Sequence, residues 1–168
     1  MVRTLYEYHQ HRLTEIWASI GALSDAQFLQ PIPYSIGSLR NQMVHLMDDE
    51  LSWLSLVQGS VHEPIEPNQF ATVATTRARS QEAMTKLHAF MVSLDNDALQ
   101  SQFIWHPPFL KQPQRIAMWQ AVLHIINHAT DHRAQILRIL HDLGAPTFDQ
   151  DLMGYLIQSG KTASNQPT

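Results

Sequence analysis

The segment Leu123–Leu140, LHIINHATDHRAQILRIL, places histidines at 124, 128 and 132. Four residues advance a helix by about 400°, so each imidazole stands only about 40° round from the last and the three form one ridge. Two histidines four apart on one helix face can hold a single divalent metal, because both rings then reach a common point. The spacing alone is a weak signal in a chain with ten histidines. A helix whose histidines are solvated, or hydrogen-bonded at the edge of a core, accounts for it equally well.

A helical wheel separates the three rings. With Ala129 at the centre of the apolar stripe, Met118, Val122, Ile125, Ile136, Leu140 and Leu143 fall within about 40° of it. His132 then lies roughly 60° from the centre, His128 roughly 100° and His124 roughly 140°. The pair His128 and His132 borders the core, whereas His124 leans to solvent. Arg133 lies about 40° from the centre, among apolar neighbours. A buried guanidinium needs a partner, so a carboxylate from another helix is expected opposite it, unless its head snorkels to water.

Four long helices are expected to position these groups. The first runs from about Thr4 to Ala22, and Ser24-Asp-Ala-Gln27 fits a capping box for a short turn that the prolines at 31 and 33 stop. His9 and His11, without a partner pattern, read as surface residues. Ser38 is a good N-cap for a second long helix that closes on Gly59, with Leu39, Met43, Met47, Leu51 and Leu54 as its stripe. Its other face carries Asn41, His45, Asp48, Asp49 and Ser52. That face is either the solvated side or the lining of a polar cleft, with His45 as a third ligand. Glu50 lies within the apolar arc and is the carboxylate expected to pair with Arg133.

The proline-bearing run from Ser60 to about Thr72 is long for a link between antiparallel neighbours and suits a crossover to a parallel one. A third long helix follows to about Leu94, with Ala74, Ala78, Met84, Leu87, Met91 and Leu94 inward and His88 on its flank. After Asp95-Asn-Asp97 breaks it, FIWHPPFLKQPQ reads as an irregular hairpin lining the mouth of a site. The fourth long helix starts between Arg115 and Met118 and ends at Gly144. Asp149 is the expected cap of a short last helix, and the polar tail 158–168 is expected to be flexible. One domain over 1–157 is the economical reading.

Composition narrows the function. With no cysteine, the chain has no disulfide, no thiolate ligand and no cysteine nucleophile of its own. A net charge of −4 and scattered basic residues argue against nucleic acid. The polar N-terminus and the lack of any long apolar run argue against a membrane and make a cytoplasmic protein the expectation. No Glu-x-x-His pair occurs, so a di-iron carboxylate bundle fits poorly.

Three stretches together resemble a known family: Pro33-Tyr-Ser-Ile-Gly-Ser-Leu-Arg-Asn-Gln-Met-Val-His45-Leu, the helical run from Met118 through His128 and His132 to Ile136, and Leu143-Gly-Ala-Pro. Over about Arg3 to Ile157 the chain is similar to the DinB-like (YfiT-like) family of small metalloenzymes. The resemblance implies an all-α four-helix bundle, up-down-down-up, with long connections after the second and third long helices. It implies a divalent metal on His45, His128 and His132, with His124 outside the set; by ligand chemistry zinc and nickel both suit imidazoles. Ala134 departs from the glycine common there. Family members are described as hydrolase-like or as transferases using a low-molecular-weight thiol, which here would be a cosubstrate acting with a small-molecule substrate, and they often form homodimers.

Three imidazoles leave a coordination position open, which suits catalysis better than a closed structural site. Asp48 or Asp49, one turn from His45, is placed to orient a ligand or accept a proton. The sequence therefore favours a metal-dependent hydrolase or thiol transferase over a non-catalytic metal-binding bundle or a plain helical interaction module.

Overall fold

A computed structural model describes residues 1–107 and 109–162. Four long helices, α1 (Val2–Ile20), α3 (Leu39–Val57), α4 (Val73–Ser93) and α6 (Met118–Asp142), carry the chain. Among the described residues they are accompanied by short helices α2 (Asp25–Leu29), α5 (Asn96–Gln100) and α7 (Leu152–Gln158), a 3-10 turn at Pro67–Gln69, and an antiparallel hairpin of β1 (Gln102–Trp105) and β2 (Gln114–Ala117). Local chemistry sets the boundaries. The hydroxyls of Ser38 and Thr72 accept from Asn41 N and Thr75 N, each at 3.1 Å, satisfying amides that open α3 and α4. Ser24 and Gln27 form the expected capping box at α2. Beyond α3 and α6 the chain turns through Gly59 and Gly144, at φ +66° and +74°, where a Cβ would be strained.

Contacts between helices give their directions. Arg3 donates to the Leu94 carbonyl while Trp17 donates to Ser80, so α1 and α4 run antiparallel. Gln42 meets Gln135 while Asp49 meets His128, so α3 and α6 are also antiparallel. Leu5 shares a groove with Ile126, and His9 meets Arg133 further along, so α1 and α6 are parallel. The order is up-down-down-up. The run from Gln58 to Thr72 is the crossover between the parallel α3 and α4, and Asp48 anchors it by accepting from Ile65 N at 2.8 Å.

Apolar side chains fill the bundle in two clusters, one around Met47, Leu87 and Ile125, the other around Ile16, Phe28 and Ile136. Several local expectations are corrected. Ala74 and Ala78 are exposed, and Thr76, Ser80 and Ala83 take the inner face of α4 instead. The polar pair is tolerated because Thr76 bonds back to the Thr72 carbonyl and Ser80 accepts from the Trp17 indole. Asp95 does more than break a helix: it caps α5, accepting from Ala98 N at 2.7 Å. The last helix is capped by Asp151, not Asp149, because the Asp151 carboxylate reaches Met153 N at 2.9 Å. Ala134 is exposed. Gln158 ends α7 and Lys161 pairs with Glu7, while the flexibility expected of 163–168 lies outside the described residues.

His9 is the largest correction. It is fully buried between α3 and α6, and so is not a surface residue. Arg133, also fully buried, does not pair with Glu50 directly; it donates to His9 Nδ1 at 2.5 Å, to Gln150 at 2.8 Å and to Thr130 at 2.9 Å. Accepting at Nδ1 leaves the His9 proton on Nε2, which faces Glu50 Oε1 at 2.8 Å without the alignment of a linear hydrogen bond. The imidazole thus bridges a buried cation and a buried carboxylate. Burial pulls the Arg133 pKa below its ordinary value, and burial with the charge of Glu50 raises that of Tyr6.

Candidate metal centre

The antiparallel pairing of α3 and α6 brings His45 against His128 and His132. One ring nitrogen from each lies within 4.8 Å of the others, with all three side chains half-buried. His128 Nε2 and His132 Nε2 are 3.1 Å apart. Two nitrogens each about 2.1 Å from a tetrahedral ion would stand about 3.4 Å apart, so the spacing is close to that of a shared ion.

The opposite edges of these rings set their tautomers. His132 Nδ1 lies 2.8 Å from Gln42 Oε1. The Gln42 amide is fully buried and oriented by donation from its Nε2 to Gln135 Oε1 at 2.8 Å and to Ser35 Oγ, while Ser35 donates to the same Gln135 oxygen at 2.7 Å. Ser35 reaches them from the turn before α3, held at φ +55°, a conformation few non-glycine residues adopt. A carbonyl oxygen requires a proton on His132 Nδ1. His128 Nδ1 faces Asp49 Oδ2 at 3.0 Å without the alignment of a linear hydrogen bond, and the adjoining carboxylate favours a proton on that nitrogen. Both Nε2 atoms are then lone-pair donors converging on one point, an arrangement that favours a cation between them. The donor set fits zinc or nickel.

Electrostatics differ between the two rings. Burial, with the neighbouring His128 and His45, lowers the His132 pKa to about 4. The contact with Asp49 raises that of His128. Burial lowers that of His124, one turn along, whose ring stacks on His128 at 5.8 Å.

Of the residues expected here, His45, His128 and His132 are brought together and Asp49 adjoins them. Asp48 is turned to the crossover, where it holds His62 Nε2 at 2.7 Å and Ile65 N. Glu50 and Arg133 belong to the buried His9 bridge and do not touch the centre. Sequence reasoning missed Gln42, Gln135, Ser35 and His62. Gln42 and Gln135 lie three residues from His45 and His132, and that helical offset was the available signal.

A metal ion competes with the proton on each imidazole. His132 is already neutral at pH 7. The contribution of His128 is complete above its raised pKa and is lost as pH falls through it. Asp49→Asn lowers that pKa and so moves the acid limb of metal binding to lower pH, while weakening affinity at pH 8 by roughly 10- to 100-fold. Chelator competition from pH 5 to 8 measures both effects.

The model of the DinB family matches residues 1–162. No curated protein matches the sequence. Among solved structures the chain is similar to YfiT from Bacillus subtilis, described as a probable metal-dependent hydrolase with an unusual four-helix bundle topology. The identity is 16%, the TM-score 0.58, and the match covers 85% of each chain. At this identity the likeness supports the bundle fold.

Proposed function

Since the chain belongs to the DinB family, we propose that it is a divalent-metal-dependent enzyme whose three-histidine centre carries hydrolytic chemistry. The observation that carries this reading is the convergence of His128 Nε2 and His132 Nε2 beside His45, with Asp49 and Gln42 holding the far edges of the two α6 rings. The description of YfiT as a probable metal-dependent hydrolase supports it. A divalent ion there would supply Lewis-acid chemistry, polarising a substrate oxygen and acidifying a water molecule.

The protein's own groups have separate tasks. His45, His128 and His132 bind. Asp49 fixes the His128 ring and stabilises positive charge that develops on it. Gln42, locked by Gln135 and Ser35, keeps the His132 Nε2 lone pair aimed inward. Asp48 keeps the crossover, with Ile65 and Pro67, against the His45 side of the cleft, where a cavity of about 250 Å³ opens.

The test is turnover of a panel of small esters and amides by protein loaded with zinc or nickel. Hydrolysis that disappears on chelation and returns with metal supports the proposal. Turnover that requires an added low-molecular-weight thiol would redirect it to group transfer, the chain having no cysteine of its own. Metal binding without any turnover would mark a non-catalytic bundle.

A further inference from the structure

Aromatic rings run outward from the candidate metal centre without a break. His128 stacks on His124 with centroids 5.8 Å apart, His124 packs on Trp53 at 4.6 Å, Trp53 on Trp105 at 5.1 Å, and Trp105 on Phe109 at 5.8 Å. Three separate segments contribute: α6 gives the histidines, α3 gives Trp53, and the hairpin gives Trp105 and Phe109. A hairpin that merely closed the bundle would be expected to bury its large side chains. Here Trp53 and Trp105 stay half-exposed, Phe109 is 74% exposed and Ile104 48%. Of the ten exposed large hydrophobic side chains among the described residues, five fall in segments 34–36 and 104–110. The first of these segments borders His45 through Ile36, and the second carries the outer end of the ring row.

We propose that His124, Trp53, Trp105 and Phe109 form an extended subsite for an elongated aromatic group on a small substrate, whose polar head reaches the three histidines while its far end lies against the hairpin rings. This rests on the metal-centre reading above. Aromatic faces attract flat rings through dispersion and edge-to-face electrostatics, and half-exposed indoles surrender little ordered structure on receiving one. The adjoining metal site would hold the oxygen-bearing end, so the two features together select aromatic acyl compounds over short aliphatic ones.

The test uses two hydroxamates that share a metal-binding head, 4-phenylbenzohydroxamate, whose second ring extends along the row, and acetohydroxamate. Each is titrated into zinc-loaded protein and followed by calorimetry and by quenching of tryptophan fluorescence. Metal content is measured first, and a protein that takes up no metal defeats the metal-centre reading and this proposal with it. On metal-loaded protein, 4-phenylbenzohydroxamate is expected to bind about tenfold more tightly than acetohydroxamate. Trp105→Leu, which keeps an apolar anchor for the hairpin, and Phe109→Ala, at an exposed position, should each reduce that preference severalfold without altering metal content or acetohydroxamate affinity. Equal affinities in the parent, a preference that survives both substitutions, or failure of the aromatic hydroxamate to bind metal-loaded protein would overturn the subsite while leaving the metal centre standing.

Discussion

His45→Ala lowers divalent-metal affinity by more than about 100-fold, the upper end of what losing a supporting hydrogen bond to a ligand costs. Equilibrium dialysis should find about one ion per chain in the parent and less than one tenth in the variant. The loss is expected to be specific. The His45 ring is half-buried and packs on the other two histidines at 5.6 and 4.5 Å, so its removal opens little of the apolar core. Helical circular dichroism and the unfolding midpoint should stay close to the parent's. His124→Ala serves as the comparison, since that ring stands a turn away beside Trp53, and its metal content should be unchanged. Equal metal content in His45→Ala and the parent would remove α3 from the centre and leave only the α6 pair.

Glu50→Ala should destabilise the fold by about 3–5 kcal/mol, because it leaves the charge of Arg133 buried without its counter-ion. For a domain whose total stability is on the order of 5–15 kcal/mol, that is a large fraction. Urea unfolding followed by tryptophan fluorescence measures it. The ion bridge is separate from the metal centre, so the folded fraction should still bind one ion per chain. Replacing His9, Glu50 and Arg133 together by apolar residues of similar volume should recover most of the loss, since a buried ion network often does no better than a well-packed apolar one. A loss below about 1 kcal/mol in Glu50→Ala would mean that the hydrogen bonds to His9, Gln150 and Thr130 suffice to solvate the Arg133 cation without a counter-ion.

These two residues also mark what could be read from the chain before its structure. Periodicity and caps located the four long helices, and the length of the run after Gly59 suited the parallel crossover. The ridge on α6 exposed His128 and His132 as a pair. His45 was different: its wheel position left it facing solvent or a cleft, and only the family resemblance joined it to the other two. The pairing of Glu50 with Arg133 was half legible. The wheel placed both within apolar arcs, but no local pattern could reveal that His9, some forty residues from one and over a hundred from the other, would stand between them. Gln42 and Gln135 were hidden for a related reason. A glutamine on a helix is ordinary, and its role appears only when an opposing helix supplies the imidazole that it orients. The rows of rings on the hairpin depend likewise on long-range packing. Periodicity reports which face of an element is inward; it does not report which inward groups meet.

The most direct test is a crystal structure of zinc-soaked protein with anomalous scattering recorded at the zinc edge. One peak about 2.0–2.1 Å from a ring nitrogen of each of His45, His128 and His132, with a position left open toward the cleft, is the predicted result. A peak elsewhere, or none at these histidines in protein that binds zinc in solution, would contradict the account.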